Sequence, residues 1–233
     1  MKVCLNFHGL GEPDSRIPDA ERRFWLSEDQ FERVLDAVCR MNREQVGITF
    51  DDGNASDVLI ALPALRQRGL RGSFFVVSGR IGQPGYLSAD QIRLLTGEDM
   101  LVGSHGARHE RWTEMSDDAL RDDISSSCIR LEEITGFAPS MAAVPFGSYD
   151  ARVLRALRKQ RFERIYTSDP GPVVPNSWLV ARYSVRADTT IEEVEAILLK
   201  QSWTDVARTA LRQWRRSRSG SAPSSRDAAD VRR

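Results

Sequence analysis

The feature that most constrains this 233-residue chain is a regular alternation of short apolar runs with longer stretches of helical period. Strand-like runs fall at 2–7, 45–50, 72–77, 100–103, 141–144, 164–167 and 179–183. Helical patterns fill 27–41, 57–68, 88–95, 116–135 and 150–160. Ser27 and Ser88 read as helix starts, and Gly69, Gly97 and Gly136 as helix stops. Such alternation specifies a mainly parallel sheet covered by helices, either open or closed into a barrel. In folds of that kind, chemistry collects in the loops at the carboxyl ends of the strands. Clusters stand at five such ends: HGLGEPD from His8, DDGN from Asp51, SHGARH from Ser104, PFGSYD from Pro145, and Arg182. They are expected to converge on one mouth.

Composition narrows the classes of function. The 33 basic and 33 acidic residues cancel, so no global field favours nucleic acid or an anionic membrane. Cys4, Cys39 and Cys128 are isolated and odd in number, which reads as reduced thiols, with Cys4 in a strand core. No run approaches the roughly 20 apolar residues of a membrane span, and no secretory leader is recognisable. The expectation is a cytoplasmic protein with no nucleic-acid partner. Residues 191–216 read as one long helix covering the barrel or a partner, with Val194, Ile197, Leu198, Val206 and Leu211 on its apolar stripe. Trp203 and Trp214 read there as packing residues. The polar, low-complexity stretch 217–233 reads as a disordered tail. The chain thus divides into a barrel domain at 1–190, a helix at 191–216 and a tail.

All three histidines lie in the strand-end loops. His105 and His109 form an H-x3-H pair, a spacing that can present two imidazoles to one ion but also recurs on ordinary surfaces. Gly103 and Gly106 permit close approach around them. A carboxylate from another strand end would complete a two-histidine, one-carboxylate site with open positions. That set suits zinc in hydrolysis, or cobalt, nickel, manganese or iron. The stretch ITFDDGN from Ile48 supplies the acid. Neighbouring strand-end residues point in different directions, so one aspartate can bind a cation while the other faces its water, the cation relieving their repulsion. DDG is also ordinary turn chemistry; the histidine pair favours the metal reading.

TFDDG, then SH-x3-H, then a Pro-aromatic-Gly loop, in that order, resemble the NodB-homology polysaccharide deacetylases, carbohydrate esterase family four. The likeness runs over about residues 2–186, and LRGSFFVVSGRIG from Leu70 matches the family's usual next strand. It implies a distorted (β/α) barrel, here of about seven mainly parallel strands. It further implies Asp51 as catalytic base, and Asp52, His105 and His109 as ligands of a divalent metal, usually Zn2+, sometimes Co2+ or Ni2+. Pro145, Phe146 and Gly147 would form the groove loop, the backbone N–H of Phe146 holding an oxyanion. The reaction implied is hydrolysis of an N-acetyl group from an amino sugar, less often of an O-acetyl group.

The chain also departs from that pattern. Ala143 stands where the family usually carries an arginine, and the late Leu-x-His that normally supplies the general acid is absent from ILLKQ around Leu199. Some members carry the corresponding histidine on an N-terminal strand. His8 is therefore the candidate general acid, the other reading being a brace for the Gly9–Gly11 turn. Arg182 joins Pro145 and Gly147 among the substrate-groove candidates and is the candidate replacement for the missing arginine, the other reading being a structural ion pair. These departures leave open a weakened, carbohydrate-binding member, or an O-acetyl esterase or non-sugar amide hydrolase of the same fold.

Overall fold

The structure, a computed structural model, describes residues 2–13, 19–41, 45–199 and 201–219. The strands are β1 (Val3–Phe7), β2 (Val46–Asp52), β3 (Ser73–Val76), β4 (Leu101–Ser104), β5 (Met141–Ala143), β6 (Arg164–Tyr166), β7 (Leu179–Val180) and β8 (Tyr183–Ser184). They form one parallel sheet in the order β7-β6-β5-β4-β3-β2-β1-β8. Only Ala181 and Arg182 separate β7, paired with β6, from β8, paired with β1. One interrupted strand therefore joins the two edges of the sheet into a distorted barrel. The run expected as a single strand at 179–183 is split because its partner changes midway. At the break, Arg182 N–H donates to Asp169 O rather than to a strand neighbour.

Side chains alternate between the two faces, as the strand period of two requires. Leu5, Phe7, Ile48, Phe50, Phe74 and Val76 face outward into the main core beneath helix α2 (Glu28–Arg40) and helix α3 (Leu62–Gln67). Phe50 and Phe74 stack there at 4.6 Å between centroids. Cys4, Phe75, Met141, Ala143, Tyr166 and Val180 form a separate apolar cluster on the other face, which lines the barrel. Gly103 makes room for it, since a Cβ there would stand 2.6 Å from the Phe75 ring. Cys4 is fully buried, as expected, and desolvation pushes its thiol up to about 12.

The helix starts at Ser27 and Ser88 are capping boxes, closed by Gln30 and Gln91. Gly136 ends helix α5 (Asp117–Thr135) in the left-handed conformation at φ 81°, whereas helix α4 (Ala89–Gly97) runs through Gly97 and ends at Glu98. The pattern at 57–68 opens with a π-helical turn, Asp57–Ala61, before α3. A short helix α1 (Asp19–Arg22) precedes α2, and α6 (Ala151–Lys159) follows the fifth strand.

The expected single helix at 191–216 is two, α7 (Ile191–Leu199) and α8 (Trp203–Arg218), the second begun by a Ser202–Asp205 capping box. Val194 is buried, and Ile197 and Leu198 pack on the core. Trp203 and Trp214 do not pack as expected; they are 84% and 51% exposed. Residues 217 and 218 belong to α8, and the remainder of the expected tail, 220–233, lies outside the described residues. Among the described residues no helix is long and apolar enough to cross a membrane.

Candidate active site

The described residues of the five strand-end clusters meet at one end of the barrel. Asp51 and Asp52 are the last two residues of β2 rather than loop residues, so the strand period sends their side chains opposite ways. Asp51 turns into the barrel. There Arg182 donates from Nη1 to Asp51 Oδ1 at 2.7 Å and from Nη2 to Oδ2 at 2.8 Å. Asn6 Nδ2 adds a third bond to Oδ2 at 3.0 Å, and Asn6 Oδ1 accepts from Arg182 Nη1 at 2.7 Å. Register explains the meeting, since Asn6 of β1 lies beside Thr49 of β2, two residues before Asp51 and on its face. Burial opposes ionisation of Asp51, but the charge and hydrogen bonds of Arg182, together with His105 and His8, hold the carboxyl below its ordinary value.

This corrects the grouping of Arg182 with the substrate groove. At 1% exposure it lies beneath Asp51, its Nε–H donating to Thr167 O at 3.1 Å. Its guanidinium lies 5.5 Å from the Phe75 ring, a member of the apolar cluster that also contains Ala143. Pro145 and Gly147 are buried as well and shape the turn, while Phe146 is the exposed member of that loop at 47%.

Asp52 faces the histidines. One ligand atom from each of Asp52, His105 and His109 lies within 4.8 Å of the others. His105 donates Nδ1–H to Ala143 O at 2.9 Å, which leaves the Nε2 lone pair facing Asp52 Oδ1 at 3.6 Å and Asp51 Oδ2 at 4.0 Å. Burial pushes this imidazole down to about 4, so it is neutral at neutral pH. Acceptors aimed at one another across such distances call for a cation between them. Asp52 Oδ1 is buried and lacks a donor at a hydrogen-bonding angle, although His109 Nε2 is 3.0 Å away. Burial opposes ionisation of Asp52 too, yet His109 holds its carboxyl low. These donors fit a divalent cation. Arg80 Nη2 donates to His109 Nδ1 at 2.9 Å, which puts the proton of the neutral imidazole on Nε2; for Nε2 to hold a cation, that proton would have to leave to solvent or move to Nδ1 in place of the Arg80 bond.

Three of the six described non-glycine residues at positive φ belong to this mouth: Asp52 at 80°, His109 at 55° and Phe146 at 55°. Such conformations persist only where surrounding contacts enforce them, and they cluster at functional sites. The histidine loop is held by Asp123 of α5, which is fully buried and accepts from Arg108 N–H and Trp112 Nε1–H, both at 2.9 Å. The Phe146 ring stacks on His109 at 4.6 Å, and its N–H has no acceptor among the described residues. His8, after β1, packs on Phe24 at 4.7 Å, and its charge bears on both aspartates.

Sequence reading did not single out Asn6, Asp123 or Asp57. Asp57 opens the π-turn, is fully buried, and has no hydrogen-bond partner on either oxygen among the described residues. Burial, then the charges of Asp52 and Asp51, raise its carboxyl well above the ordinary value. An acid raised on folding weakens the fold as pH climbs from its unfolded value of about 3.9 toward its folded one. Asp57→Asn, melted in chelator, is therefore expected to raise Tm at pH 8 by about 2–4 °C per kcal/mol recovered. The gain should vanish toward pH 4; a difference independent of pH would contradict the shift.

Fold and mouth together define a (β/α) barrel with a candidate metal centre at the carboxyl end of its strands. The sequence model of the family described as polysaccharide deacetylase matches residues 40–165. The chain belongs to that family, and so to the hydrolases that deacetylate carbohydrate. It is 21% identical over 194 residues to YxkH of Bacillus subtilis, named as a polysaccharide deacetylase, covering 78% of this chain and 70% of that protein. It is 24% identical over 122 residues to the peptidoglycan-N-acetylglucosamine deacetylase of Bacillus cereus, covering 52% of this chain and 43% of that one. Among solved structures, the Streptococcus pyogenes deacetylase PplD, in complex with acetate, superposes with a TM-score of 0.75 at 16% identity, over 86% of this chain and 99% of that one. IcaB from Ammonifex degensii gives 0.70 at 23%, over 85% and 97%. These two likenesses carry the fold.

Proposed function

We propose that the protein hydrolyses N-acetyl groups of an amino sugar, within a polysaccharide, oligosaccharide or glycolipid, using a divalent cation, zinc ahead of cobalt or nickel. One observation carries this reading: the convergent donors of Asp52, His105 and His109 stand beside a second aspartate whose two oxygens are clamped by Arg182. Asp52 Oδ1, His105 Nε2 and His109 Nε2 would hold the ion. When bound, it supplies Lewis acidity toward water and the acetyl carbonyl.

Everything else falls to the chain. Asp51, kept ionised by Arg182, takes the proton of the attacking water. The unengaged N–H of Phe146 donates to the oxyanion that forms from the acetyl carbonyl. His8, whose Nδ1 is buried without a partner, delivers a proton to the leaving amine. The Phe146 ring, 47% exposed between His109 and the Arg111 guanidinium that lies 5.0 Å over it, stands at the rim where the sugar would meet it. The B. cereus relative named for N-acetylglucosamine deacetylation supports an amide substrate.

The test measures bound metal, then acetate release from N-acetylated glycan oligomers, with and without chelator. Wild type should retain a cation and lose activity on its removal, and zinc or cobalt should restore it. His105→Ala should weaken cation binding by more than the 10–100-fold typical of outer-shell changes. A wild-type protein that binds no divalent cation, or that works undiminished in chelator, overturns the reading.

A further inference from the structure

Helix α8 lies wholly beyond residues 40–165, yet it reaches the groove loop. Arg216, in its last turn, donates from Nη2 to the carbonyl of Gly147 at 3.0 Å and from Nη1 to Asp169 Oδ1 at 2.5 Å. Its guanidinium also lies 4.6 Å over the Tyr149 ring. Asp169 is 1% exposed, and its other oxygen accepts from Tyr149 OH and from Thr167 Oγ1 at 3.1 Å. The backbone carbonyl of Asp169 accepts from Arg182 N–H at 3.1 Å. The carbonyl of Ser219, just past the helix, accepts from Ala151 N–H at 3.1 Å, pinning the end of α8 to the start of α6.

What this network braces is a turn in an unfavourable backbone conformation, whose own bonds run from Gly147 N–H to Val144 O and from Ser148 N–H to Pro145 O, both at 3.0 Å. Phe146 and Gly147 are successive left-handed residues, at φ 55° and 60°. For phenylalanine that conformation costs of order 1–3 kcal/mol unless its surroundings impose it. Gly147 has no room for a side chain, since a Cβ would stand 2.8 Å from Ser168 Cβ. The carbonyl of Gly147 lies at the far end of that turn, two peptide planes beyond the Phe146 N–H, and the Arg216 Nη2 donor on it limits how far the turn, and with it the direction of that N–H, can swing. Fixing that direction in advance is the condition for stabilising an oxyanion without reorganisation.

We propose that Arg216 is a positioning residue for the deacetylation step. Through Gly147 O and Asp169 it holds the Phe146 N–H toward the mouth and makes α8 part of the catalytic apparatus. The inference rests on the reading that this N–H receives the oxyanion. Asp169 links Arg216 and Arg182, its side chain bound by the first and its backbone by the second. A lysine at 216 could pair with Asp169 but could not bridge to Gly147 O as a rigid fork does.

The experiment uses the full chain loaded with zinc and compares wild type, Arg216→Ala and Arg216→Lys. Both variants should lose about 10–100-fold in kcat, the cost of displacing a reacting contact by roughly an ångström. Bound metal should stay within about twofold and kcat should fall by more than KM rises, because Asp52 stands on β2 and the histidine loop is held by Asp123 rather than by α8. Guanidinium at a non-denaturing concentration should restore part of the lost kcat in Arg216→Ala. A second readout needs no turnover: hydrogen exchange of the 144–149 backbone should accelerate in both variants while 46–52 stays unchanged. If wild type released no acetate, faster loop exchange would still support the brace, and the failure would belong to the functional reading alone. If Arg216→Ala did not fold, Arg216→Lys carries the test. Unchanged kcat with a lowered Tm, combined loss of metal and kcat, or unchanged loop exchange overturns the proposal.

Discussion

Arg182→Met is expected to cost the fold about 3–5 kcal/mol, the usual penalty for stranding one partner of a buried ion pair. Asp51 is 3% exposed and receives two of its three hydrogen bonds from Arg182, leaving Asn6 Nδ2 alone against a full charge. The stranded acid can escape by protonation, which gives the loss a pH signature. A carboxyl held low in the fold contributes stability above its unfolded value of about 3.9, and that contribution disappears as pH falls through the folded value. The deficit of Arg182→Met should therefore be greatest at neutral pH and narrow in acid. Asp51→Asn in the same chain should recover most of it, since the uncompensated charge is then gone. Denaturant unfolding of the single and double variants between pH 4 and 8 checks this. Equal losses in both would mean that lost packing, not the stranded charge, sets the cost.

Asp51→Asn alone should lower kcat by about 10²–10⁴, the usual range for a general base. The substitution preserves shape and leaves Asp52, His105 and His109 in place, so bound metal should match wild type while acetate release collapses. His105→Ala should show the opposite order, with metal lost first and activity following. In wild type, the acid limb of kcat/KM should lie below the ordinary carboxylate range, because Arg182 holds the base ionised, with activity falling as pH drops through it. Activity of Asp51→Asn within tenfold of wild type would remove Asp51 from the base role.

Much of this was legible in the sequence, for reasons that are local. A parallel strand announces itself by a short apolar run, and a polar cluster at its end is a contiguous signal. Asp51, Asp52, His105, His109 and the Pro145–Gly147 loop were readable in that way. Arg182 became readable through an absence, that of any arginine at position 143. The residues that hold these groups carry no such mark. Asn6 meets Arg182 across 176 positions and Arg216 meets Gly147 across 69, so only the closed barrel brings them together. Asp57 followed a motif already explained and read as an ordinary helix start. The break between α7 and α8 was a different kind of miss, because Ser202 three residues before Asp205 is a readable helix start, overlooked inside a continuous amphipathic pattern.

The interrupted closing strand has a consequence for how this protein comes into being. By the time residue 109 has been synthesised, the chain already carries Asp52, His105 and His109 of the candidate metal centre, but the arginine that makes burial of Asp51 tolerable is 73 positions further on. Contacts so distant in sequence form late, after the loop between them has been closed. A nascent or truncated chain ending before Arg182 would thus hold metal donors around an acid with no counter-charge. The final strand is the step at which the chain acquires both its closed shape and the counter-charge of Asp51, so on the proposed mechanism a product of synthesis ending before it is expected to be a poor hydrolase.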